Sequence, residues 1–224
     1  AENAIYCHLY GANNLQTELP GVGAVALNQA TDYPWDGAVK ITITEAPKPR
    51  KKKAFSLFFR VPEWCQKATL TVNGETVQGE WEANTYAEVN RIWKVGDEVQ
   101  WVMDMPVRLL EAHPLAEEIR NQVVVKRGPL VYCLESMDIE GGKRIDDVLI
   151  PADIQLTPKK ITIEGSPIMA LEGKARLTDN ASWEGVLYRE VGKSDKQVNI
   201  RLIPYYAWGN RGKGEMTVWM PLAR

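Results

Sequence analysis

The sequence predicts an all-β protein made of two consecutive antiparallel β-sandwich domains, and three observations support that prediction. Short runs that alternate apolar with polar side chains, or are rich in β-branched residues, recur along the chain between Gly, Pro, Asn and Asp. Amphipathic helical periodicity is scarcely visible, since the segment 115–123 could form a turn or two at most. The 224 residues suffice for about two domains of the roughly 100 residues that one sandwich takes.

The first strand pattern, residues 4–10, contains a cysteine beside a histidine, the raw material of a catalytic dyad. Successive side chains of a strand point to opposite faces of the sheet, so Cys7 and His8 face opposite ways. Cys7 therefore faces the side that is expected to bury Ile5 and Leu9, where a thiol packs as a small apolar group. The first half continues with predicted strands at 23–29, 38–45, 54–61, 67–73, 84–90 and 97–103.

Two turn signals indicate hairpins in the first half. Asn73-Gly74 lies between two alternating runs in "TLTVNGETV", and this dipeptide favours the positive φ angles of a tight hairpin turn. Gly96-Asp97 is a second turn signal, in "WKVGDEVQW". Both signals predict that neighbouring strands of this half run antiparallel.

The second half is predicted to start within "MPVRLLEAHP" (105–114), where the strand pattern pauses between two prolines. This break predicts domains at 1–106 and 107–224, with limited proteolysis near 111–121 releasing two resistant fragments. The strands predicted for the second half are 107–112, 122–126, 129–135, 154–157, 168–177, 197–203 and 215–220. The predicted cores are Leu57, Phe59, Leu70, Val72, Val99 and Trp101 in the first domain, and Val124, Leu130, Tyr132, Leu134, Ile200, Leu202 and Trp219 in the second.

Composition excludes several classes of function. A formal net charge of −2 gives no general attraction to nucleic acid or to an anionic membrane. No apolar run approaches the roughly 20 residues of a membrane-spanning helix. Three cysteines without a C-x-x-C pair do not predict a disulfide framework, and the compartment stays open. The chain begins without Met in the middle of a strand pattern, so it is expected to be cut from something longer.

Two charged or glycine-rich stretches are predicted to be loops. The segment Lys48–Lys53 carries five positive charges in six residues, but it lies between two strand patterns and contains a proline, so polyanion binding is a remote alternative. Gly209, Gly212 and Gly214 are followed by a strand pattern, whereas a phosphate loop needs a helix N-terminus there.

Aromatic residues provide the candidate carbohydrate-binding sites. Two turns combine aromatic rings with polar groups, and such rings can stack on sugars or fill the ends of a sandwich core. Packing is the favoured interpretation and carbohydrate contact the alternative. The candidate residues are Tyr33, Trp35 and Asp36 in "TDYPWDG", and Tyr205, Tyr206 and Trp208 in "PYYAW".

No catalytic or metal-binding residue is predicted. The acidic pairs Glu117-Glu118 and Asp146-Asp147 are adjacent in sequence, so neither resembles the two facing carboxylates of a glycosidase. His113 has no second ligand at metal-binding spacing, and no Ser/His/Asp arrangement is readable.

Several stretches, taken together and in order, resemble the C-terminal half of glycoside hydrolase family 127, the β-L-arabinofuranosidase family. The most specific are "VKRGPLVYCLE" (125–135) and the "NRG…M-x-VW-x-P" ending of "PYYAWGNRGKGEMTVWMP" (204–221). The others are "TDYPWDG" (31–37), "FRVPEWC" (59–65), "VNG" (72–74), "YAEVNRIWKVGDEV" (86–99) and "MPVRLLEAHP" (105–114).

This resemblance implies a longer parent protein in which an (α/α)₆ catalytic barrel precedes two β-sandwich domains. In that family a cysteine thiolate is the nucleophile, a glutamate is the acid/base, and cysteines with a glutamate hold zinc, all within the barrel. No position here matches those residues, and Cys7 does not match the nucleophile. The resemblance therefore implies no catalytic residue, no metal and no cofactor in this chain.

The expected function is that of a non-catalytic accessory region that braces the barrel. The barrel is its expected partner, with a second protomer and a glycan as further candidates, and no partner among nucleic acids or membranes. The alternative function is a carbohydrate-binding module that uses the Trp and Tyr clusters. The parent's substrate, the oligomeric state and the compartment are not predicted.

Overall fold

A computed structural model describes residues 3–47, 53–178, 185–188, 190 and 196–223. The described residues form strands joined by turns and three single-turn 3-10 helices, Glu117–Ile119, Ile145–Asp147 and Tyr205–Ala207, with no α-helix among them. The all-β prediction is confirmed. The chain divides into two compact units, Ala1–Pro106 and Val107–Arg224. Lys48–Lys53 is the basic stretch named above, and its residues 48–52 lie outside the described residues.

The first unit is a sandwich of two sheets. Its strands are β1 (Ala4–Cys7), β2 (Asn13–Leu19), β3 (Gly23–Thr31), β4 (Ala38–Glu45), β5 (Phe55–Arg60), β6 (Ala68–Val72), β7 (Glu75–Thr76), β8 (Tyr86–Arg91) and β9 (Glu98–Met103). One sheet has the order β1-β5-β8 and the other β2-β3-β4-β9-β6-β7. The inward side chains of both sheets share one apolar core, as expected for sheets that pack face to face.

The predicted core of the first unit is confirmed, and the end of its first strand differs from the prediction. All six residues predicted for this core are buried, from Leu57 on β5 to Trp101 on β9. Strand β1 ends at Cys7, so the alternation predicted for 4–10 stops early and Leu9 is exposed instead of buried. Strand β1 also pairs parallel to β5, with Ile5 opposite Leu57, which departs from the antiparallel prediction.

Both predicted turns of the first unit are present, and two side chains join them. Asn73 and Gly74 have φ angles of 53° and 83°, and Gly96 has a φ of 89°. The Asn73 amide donates to the Asp97 Oδ1 at 3.0 Å, and the Asp97 Oδ2 accepts from the Lys94 N–H at 2.8 Å. The two turns therefore stabilise each other beside the antiparallel pair β6–β9.

The second unit closes its strand pairings into a ring. Its strands are β10 (Val107–Glu111), β11 (Gln122–Arg127), β12 (Leu130–Ile139), β13 (Val148–Pro151), β14 (Thr157–Ile163), β15 (Ser166–Leu177), β16 (Gln197–Pro204), β17 (Met216–Thr217) and β18 (Met220–Ala223). Pairings run β11-β18-β13-β15-β16-β12, and β12 pairs back to β11. Strands β13 and β18 pair parallel, and the other pairings of this unit are antiparallel among the described residues.

Some details of the second unit differ from the prediction. The strand predicted at 154–157 begins only at Thr157, and the single strand predicted at 215–220 is two short strands, β17 and β18. Trp219 lies in the bend between them and is half-buried, while its neighbour Met220 is buried in its place. The other six residues predicted for this core are buried.

The glycine-rich stretch and the segment 115–123 behave as predicted. Gly209 and Gly212 have φ angles of 77° and 115°, and the strand β17 follows them instead of a helix. Within the segment 115–123, Glu117–Ile119 forms one 3-10 turn, and residues 122 and 123 already belong to β11. In the part of the chain that the structure describes, no helix has the length and apolar character needed to cross a membrane.

Candidate functional site

The cysteine beside the histidine is a buried core residue. Cys7 points into the first unit's core, where burial raises the pKa of its thiol to about 11. His8 follows β1 directly and is exposed, and its Nδ1 lies 2.6 Å from the Tyr86 hydroxyl. This geometry agrees with the prediction that the two residues do not form a dyad, which stays a prediction.

The other two thiols are also held in their protonated form. Burial raises the pKa of Cys65, whose Sγ lies 3.3 Å from the Lys67 carbonyl oxygen. Burial and the nearby carboxylates of Glu135 and Asp138 raise the pKa of Cys133 to about 12. A reactive cysteine requires the opposite, a lowered pKa and an exposed thiolate. Within the described ranges, no group of three or more His, Cys, Asp or Glu side chains could hold a metal ion.

Tyr33 of the first candidate cluster packs against the core of the first unit. Its ring lies edge-on to Tyr10, with 5.8 Å between centroids, and stacks on Trp64 at 6.4 Å. Burial raises the pKa of its hydroxyl. One face of the Tyr33 ring is thus occupied by protein, which favours a packing role.

The rest of the "TDYPWDG" turn is fixed by local hydrogen bonds. The Asp36 Oδ1 accepts from the Ala38 N–H at 2.9 Å, so this carboxylate closes the turn. A Cβ on Gly37 would lie 1.9 Å from the Met103 carbonyl oxygen, and the Met103 N–H donates to the Gly37 carbonyl at 2.9 Å. The turn therefore lies directly on β9, and Trp35 beside it is half-buried.

The second candidate cluster is much more exposed. Tyr205 and Tyr206 lie on the 3-10 turn that follows β16, and Trp208 follows directly. Their exposed fractions are 47%, 55% and 44%, whereas Ala207 between them is buried. Three large aromatic side chains of one short segment are therefore partly open to solvent, which is the geometry that a stacking surface needs.

A buried ionic cluster holds the loop that follows this turn. The Glu135 Oε1 accepts from the Gly209 N–H at 3.0 Å, and its Oε2 accepts from Arg211. The Arg211 guanidinium also donates to both carboxylate oxygens of Asp138, at 3.0 Å for Oδ1. The two carboxylate side chains are 3% exposed and Arg211 is 18% exposed. The hydrogen bonds to Asp138 and Glu135 raise the pKa of Arg211 above its ordinary value, because they favour the charged guanidinium.

The sequence reasoning did not find Glu135, Asp138 and Arg211. A bulge in β12 brings the two acids together, because Leu134 pairs with Leu202 and Ile139 with Ile200, leaving three extra residues on β12. One feature of the sequence could have indicated this cluster: two acidic residues lie within the apolar run of β12. Acidic side chains that are buried are seldom without a partner, so a cation was to be expected near them.

A polar groove lies beside this bulge. It has a volume of about 700 Å³ and is lined by β12, β14, β15 and β16. Within it, Glu172 accepts from Lys159 at 2.9 Å and from the Arg201 Nη2 at 2.7 Å, and these hydrogen bonds lower the pKa of Glu172. Lys159 and Arg201 are therefore engaged by Glu172, and the described lining contains no aromatic ring for a sugar to stack on.

Two family models match the chain. The model described as "Beta-L-arabinofuranosidase, GH127 middle domain" matches residues 4–105, and the "Glycoside hydrolase family 127 C-terminal domain" matches residues 107–221. The chain belongs to glycoside hydrolase family 127. The resemblance predicted from the sequence motifs is thereby confirmed.

Relatives of known description extend this result. The chain is 30% identical over 202 residues to a non-reducing end β-L-arabinofuranosidase of Bifidobacterium longum, covering 87% of this chain and 30% of that protein. A solved glycoside hydrolase is 72% identical with a TM-score of 0.91, covering 98% of this chain and 36% of that one. A solved GH127 β-L-arabinofuranosidase from Geobacillus stearothermophilus is 37% identical with a TM-score of 0.88, covering 100% of this chain and 34% of that one.

The coverage defines which part of family 127 is present. This chain spans about a third of the length of these relatives and corresponds to two domains that the family models describe as middle and C-terminal. The Tyr33 cluster lies in the middle domain of the family, and the Tyr205 cluster with its ionic support lies in the C-terminal domain. Carbohydrate contact at either cluster stays a prediction.

Proposed function

We propose that this chain is the non-catalytic accessory region of a longer family 127 hydrolase and braces the catalytic barrel of that protein. The observation that carries the proposal is the match of nearly the whole chain to the middle and C-terminal domains, while it covers only 30% of the curated arabinofuranosidase. A middle domain has a further domain before it, and catalysis is assigned to that domain.

The state of the thiols supports this proposal. The resemblance implies a cysteine thiolate as the family's nucleophile, and all three cysteines of this chain are buried. Burial raises the pKa of each of them, so each is protonated near neutral pH. None of the three has the properties that a nucleophile needs.

An activity assay tests the non-catalytic role. The purified chain is incubated with an aryl β-L-arabinofuranoside, with and without zinc and reductant, and released aryl alcohol is measured. We expect no turnover above the rate of a heat-denatured sample. Turnover that follows the protein through purification and is lost in a Cys7→Ala, Cys65→Ala or Cys133→Ala variant would overturn the proposal.

For the longer protein, we propose removal of β-L-arabinofuranosyl units from non-reducing ends, on the basis of the relative with that description. Any zinc would then be held by residues of the catalytic barrel, outside this chain. The corresponding assay uses the longer protein and short arabinofuranosyl oligosaccharides. Release of arabinose supports this substrate class, and release of a different sugar would replace it.

A second candidate function is glycan contact at the aromatic turn of Tyr205, Tyr206 and Trp208. The observation that favours it is partial exposure of all three rings on a segment fixed by the Arg211 cluster. A fixed aromatic surface loses little conformational entropy when a ligand binds. The candidate therefore needs no rearrangement of the fold.

Calorimetry with arabinan and arabino-oligosaccharides tests this candidate. We expect heat of binding at millimolar ligand, and we expect Trp208→Ala to abolish it without changing the thermal midpoint of unfolding. The matched control is Tyr188→Ala, since Tyr188 is an exposed aromatic residue outside the cluster. No heat with the unmodified chain would exclude glycan binding at this turn.

A further inference from the structure

The outer face of the three-stranded sheet β1-β5-β8 carries a cluster of aromatic side chains. Tyr6 on β1 stacks on Phe58 of β5, its register partner, with 4.4 Å between ring centroids and an angle of 4°. Tyr86 on β8 meets both rings edge-on, at 5.5 Å and 6.5 Å. His8 lies 5.7 Å from the Tyr6 ring. These four residues are called the aromatic face below.

The aromatic face is open to solvent in this chain. Tyr6 is 38% and Tyr86 36% exposed, and His8 is exposed as well. The alternate residues of the same strands, Ile5 on β1 and Leu57 on β5, are buried in the core. The aromatic face is therefore an outward surface and not an extension of the core.

The other sheet of the same unit provides an internal comparison. Its outward side chains include Lys40 and Thr42 on β4 and Glu98 and Gln100 on β9, and the Lys40 Nζ lies 2.5 Å from Glu98. This alternation of apolar inside and polar outside is typical of a sheet with one face in water. The three-stranded sheet departs from that pattern, and contiguous exposed apolar groups mark interaction sites.

Polar residues border the aromatic face. On the same side of the sheet, the Ser56 hydroxyl donates to the Glu88 Oε1 at 2.6 Å, and the Asn90 amide donates to the Ser56 Oγ at 2.7 Å. An aromatic centre with a hydrogen-bonded polar border is the usual composition of a protein–protein interface. Tyr6 and Phe58 cover one face of each other's ring, so these two faces are not open for stacking on a sugar.

Chain connectivity identifies the occupant. Tyr6 lies on the first strand and His8 directly follows that strand, and an extended chain advances at most about 3.6 Å per residue. Polypeptide that precedes residue 1 in a longer protein would therefore enter within about 20 Å of Tyr6. The family model for this unit describes a middle domain, which places further polypeptide on that side.

We propose that the aromatic face is the surface on which the catalytic barrel of the longer protein docks. This inference rests on the proposed function, since it needs a preceding catalytic domain. It adds the specific surface: Tyr6, Phe58 and Tyr86 form the apolar centre of the contact, with His8 at the edge.

Chemical labelling tests the inference. Diethyl pyrocarbonate for histidine and tetranitromethane for tyrosine are applied to the 224-residue chain and to the longer protein, and modified peptides are quantified by mass spectrometry. We expect His8 and Tyr86 to react readily in the chain alone. In the longer protein we expect labelling at least about tenfold slower, as for a contact that is open in at most about one molecule in ten.

The outcomes separate the docking surface from the proposed function. Equal labelling rates in both proteins would overturn the docking inference, even if the longer protein hydrolyses arabinofuranosides. Protection that increases with the concentration of the 224-residue chain would show that a second copy, and not the barrel, covers the aromatic face. Protection by arabino-oligosaccharides would show that a glycan covers it. Absence of any longer protein or of its activity would instead overturn the proposed function.

Variants give an independent measurement. Tyr6→Ser and Phe58→Ser are made in both proteins, and each is expected to lower the thermal midpoint of the longer protein by more than that of the 224-residue chain. The matched control is Val102→Ser, because Val102 is exposed on the outer side of the other sheet. Equal effects of all three variants in both proteins would contradict the inference.

Discussion

Arg211 shows how charge is accommodated inside this β-protein. The carboxylates of Glu135 and Asp138 are almost fully removed from water, and Arg211 satisfies both of them. A buried carboxylate without a partner is strongly unfavourable, whereas the complete cluster need not stabilise the fold relative to apolar side chains. The cluster fixes the position of the loop after Trp208, because Glu135 also accepts from the Gly209 N–H.

Replacing Arg211 by methionine tests this account. Arg211→Met leaves the buried carboxylate of Glu135 without its cation and Asp138 with only the more distant Arg201 Nη1, at 3.9 Å, so we expect the free energy of unfolding to fall by about 3–5 kcal/mol. Urea denaturation followed by tryptophan fluorescence measures it. The control is Arg144→Met, which removes an ion pair with Asp146 whose partners are both mostly exposed, and a change within about 0.5 kcal/mol is expected there. Similar small effects of both variants would contradict the account.

The thiols give a second residue-scale prediction. Cys7 and Cys133 have pKa values raised to about 11 and about 12, so the folded chain holds almost no thiolate at pH 8. We expect iodoacetamide to leave all three cysteines unmodified at pH 8 in the folded chain and to modify all three in urea. Mass spectrometry of the intact protein counts the adducts. Rapid alkylation of one cysteine in the folded state would show a reactive thiol that this account does not contain.

Gly37 gives a third prediction for a single residue, which rests on a steric contact. A Cβ at this position would collide with the Met103 carbonyl oxygen, so Gly37→Ala must displace the "TDYPWDG" turn from β9. We expect a loss of stability of at least about 2 kcal/mol, as for other overpacked buried sites. Gly11→Ala is the control, since nothing lies within 4 Å of a Cβ there, and thermal denaturation of the two variants is compared. A Gly37→Ala variant as stable as the control would disprove the close contact.

At the scale of elements, the hairpin of β10 and β11 changes the expected result of proteolysis. The segment 112–121 is the loop of this hairpin, in which Val107 pairs with Arg127 and Glu111 with Val123. Several of its residues are exposed, among them His113 and Leu115. Cleavage in this loop would therefore break the covalent link between β10 and the rest of the second unit. The two fragments predicted from the sequence alone would then not be independent domains.

We expect limited trypsin digestion to cut after Arg120 and to leave fragments that remain associated. They should elute together from a gel-filtration column in buffer and separate only in denaturant, because five register pairs hold β10 to β11. Fragments that separate in buffer would show that β10 contributes little to the second unit. A chain that resists cleavage would contradict the exposure of this loop.

Local sequence patterns predicted most strands but not their long-range partners. Alternation located β3, β4, β8 and β9 within a residue or two, because one face of each is buried and the other is solvated. Strand β2 was missed because it pairs only with β3 and is little buried, and β13 because four apolar residues show no period. The parallel pairings of β1 and β13 join distant segments, which no local pattern encodes.

The candidate site was likewise predictable from the sequence only where its residues are neighbours in the chain. The exposed aromatic turn at Tyr205 was visible because three large rings stand together in sequence. The ionic cluster of Glu135, Asp138 and Arg211 was not visible in the sequence. Glu135 and Arg211 are 76 positions apart, and they meet only through the bulge of β12. The aromatic face was not visible either, because Tyr6, Phe58 and Tyr86 come from three strands and form one surface only after β1 pairs with β5.

At the scale of the whole molecule, the account describes these two units as the accessory part of a family 127 hydrolase. The chain covers 34% to 36% of the two solved relatives described above, with TM-scores of 0.88 and 0.91. We propose that the catalytic cysteine implied by the family resemblance is none of Cys7, Cys65 and Cys133, because all three are buried. This proposal places the catalytic domain in polypeptide that precedes the middle domain in a longer protein.

Sequencing the gene upstream of the codon for Ala1 tests this proposal most directly. We expect the reading frame to continue upstream and, as the family resemblance implies, to encode an (α/α)₆ barrel with a paired-cysteine motif shortly before the segment "AIYCHLY". An in-frame stop codon directly upstream, or a preceding domain without that barrel and cysteine motif, would contradict it.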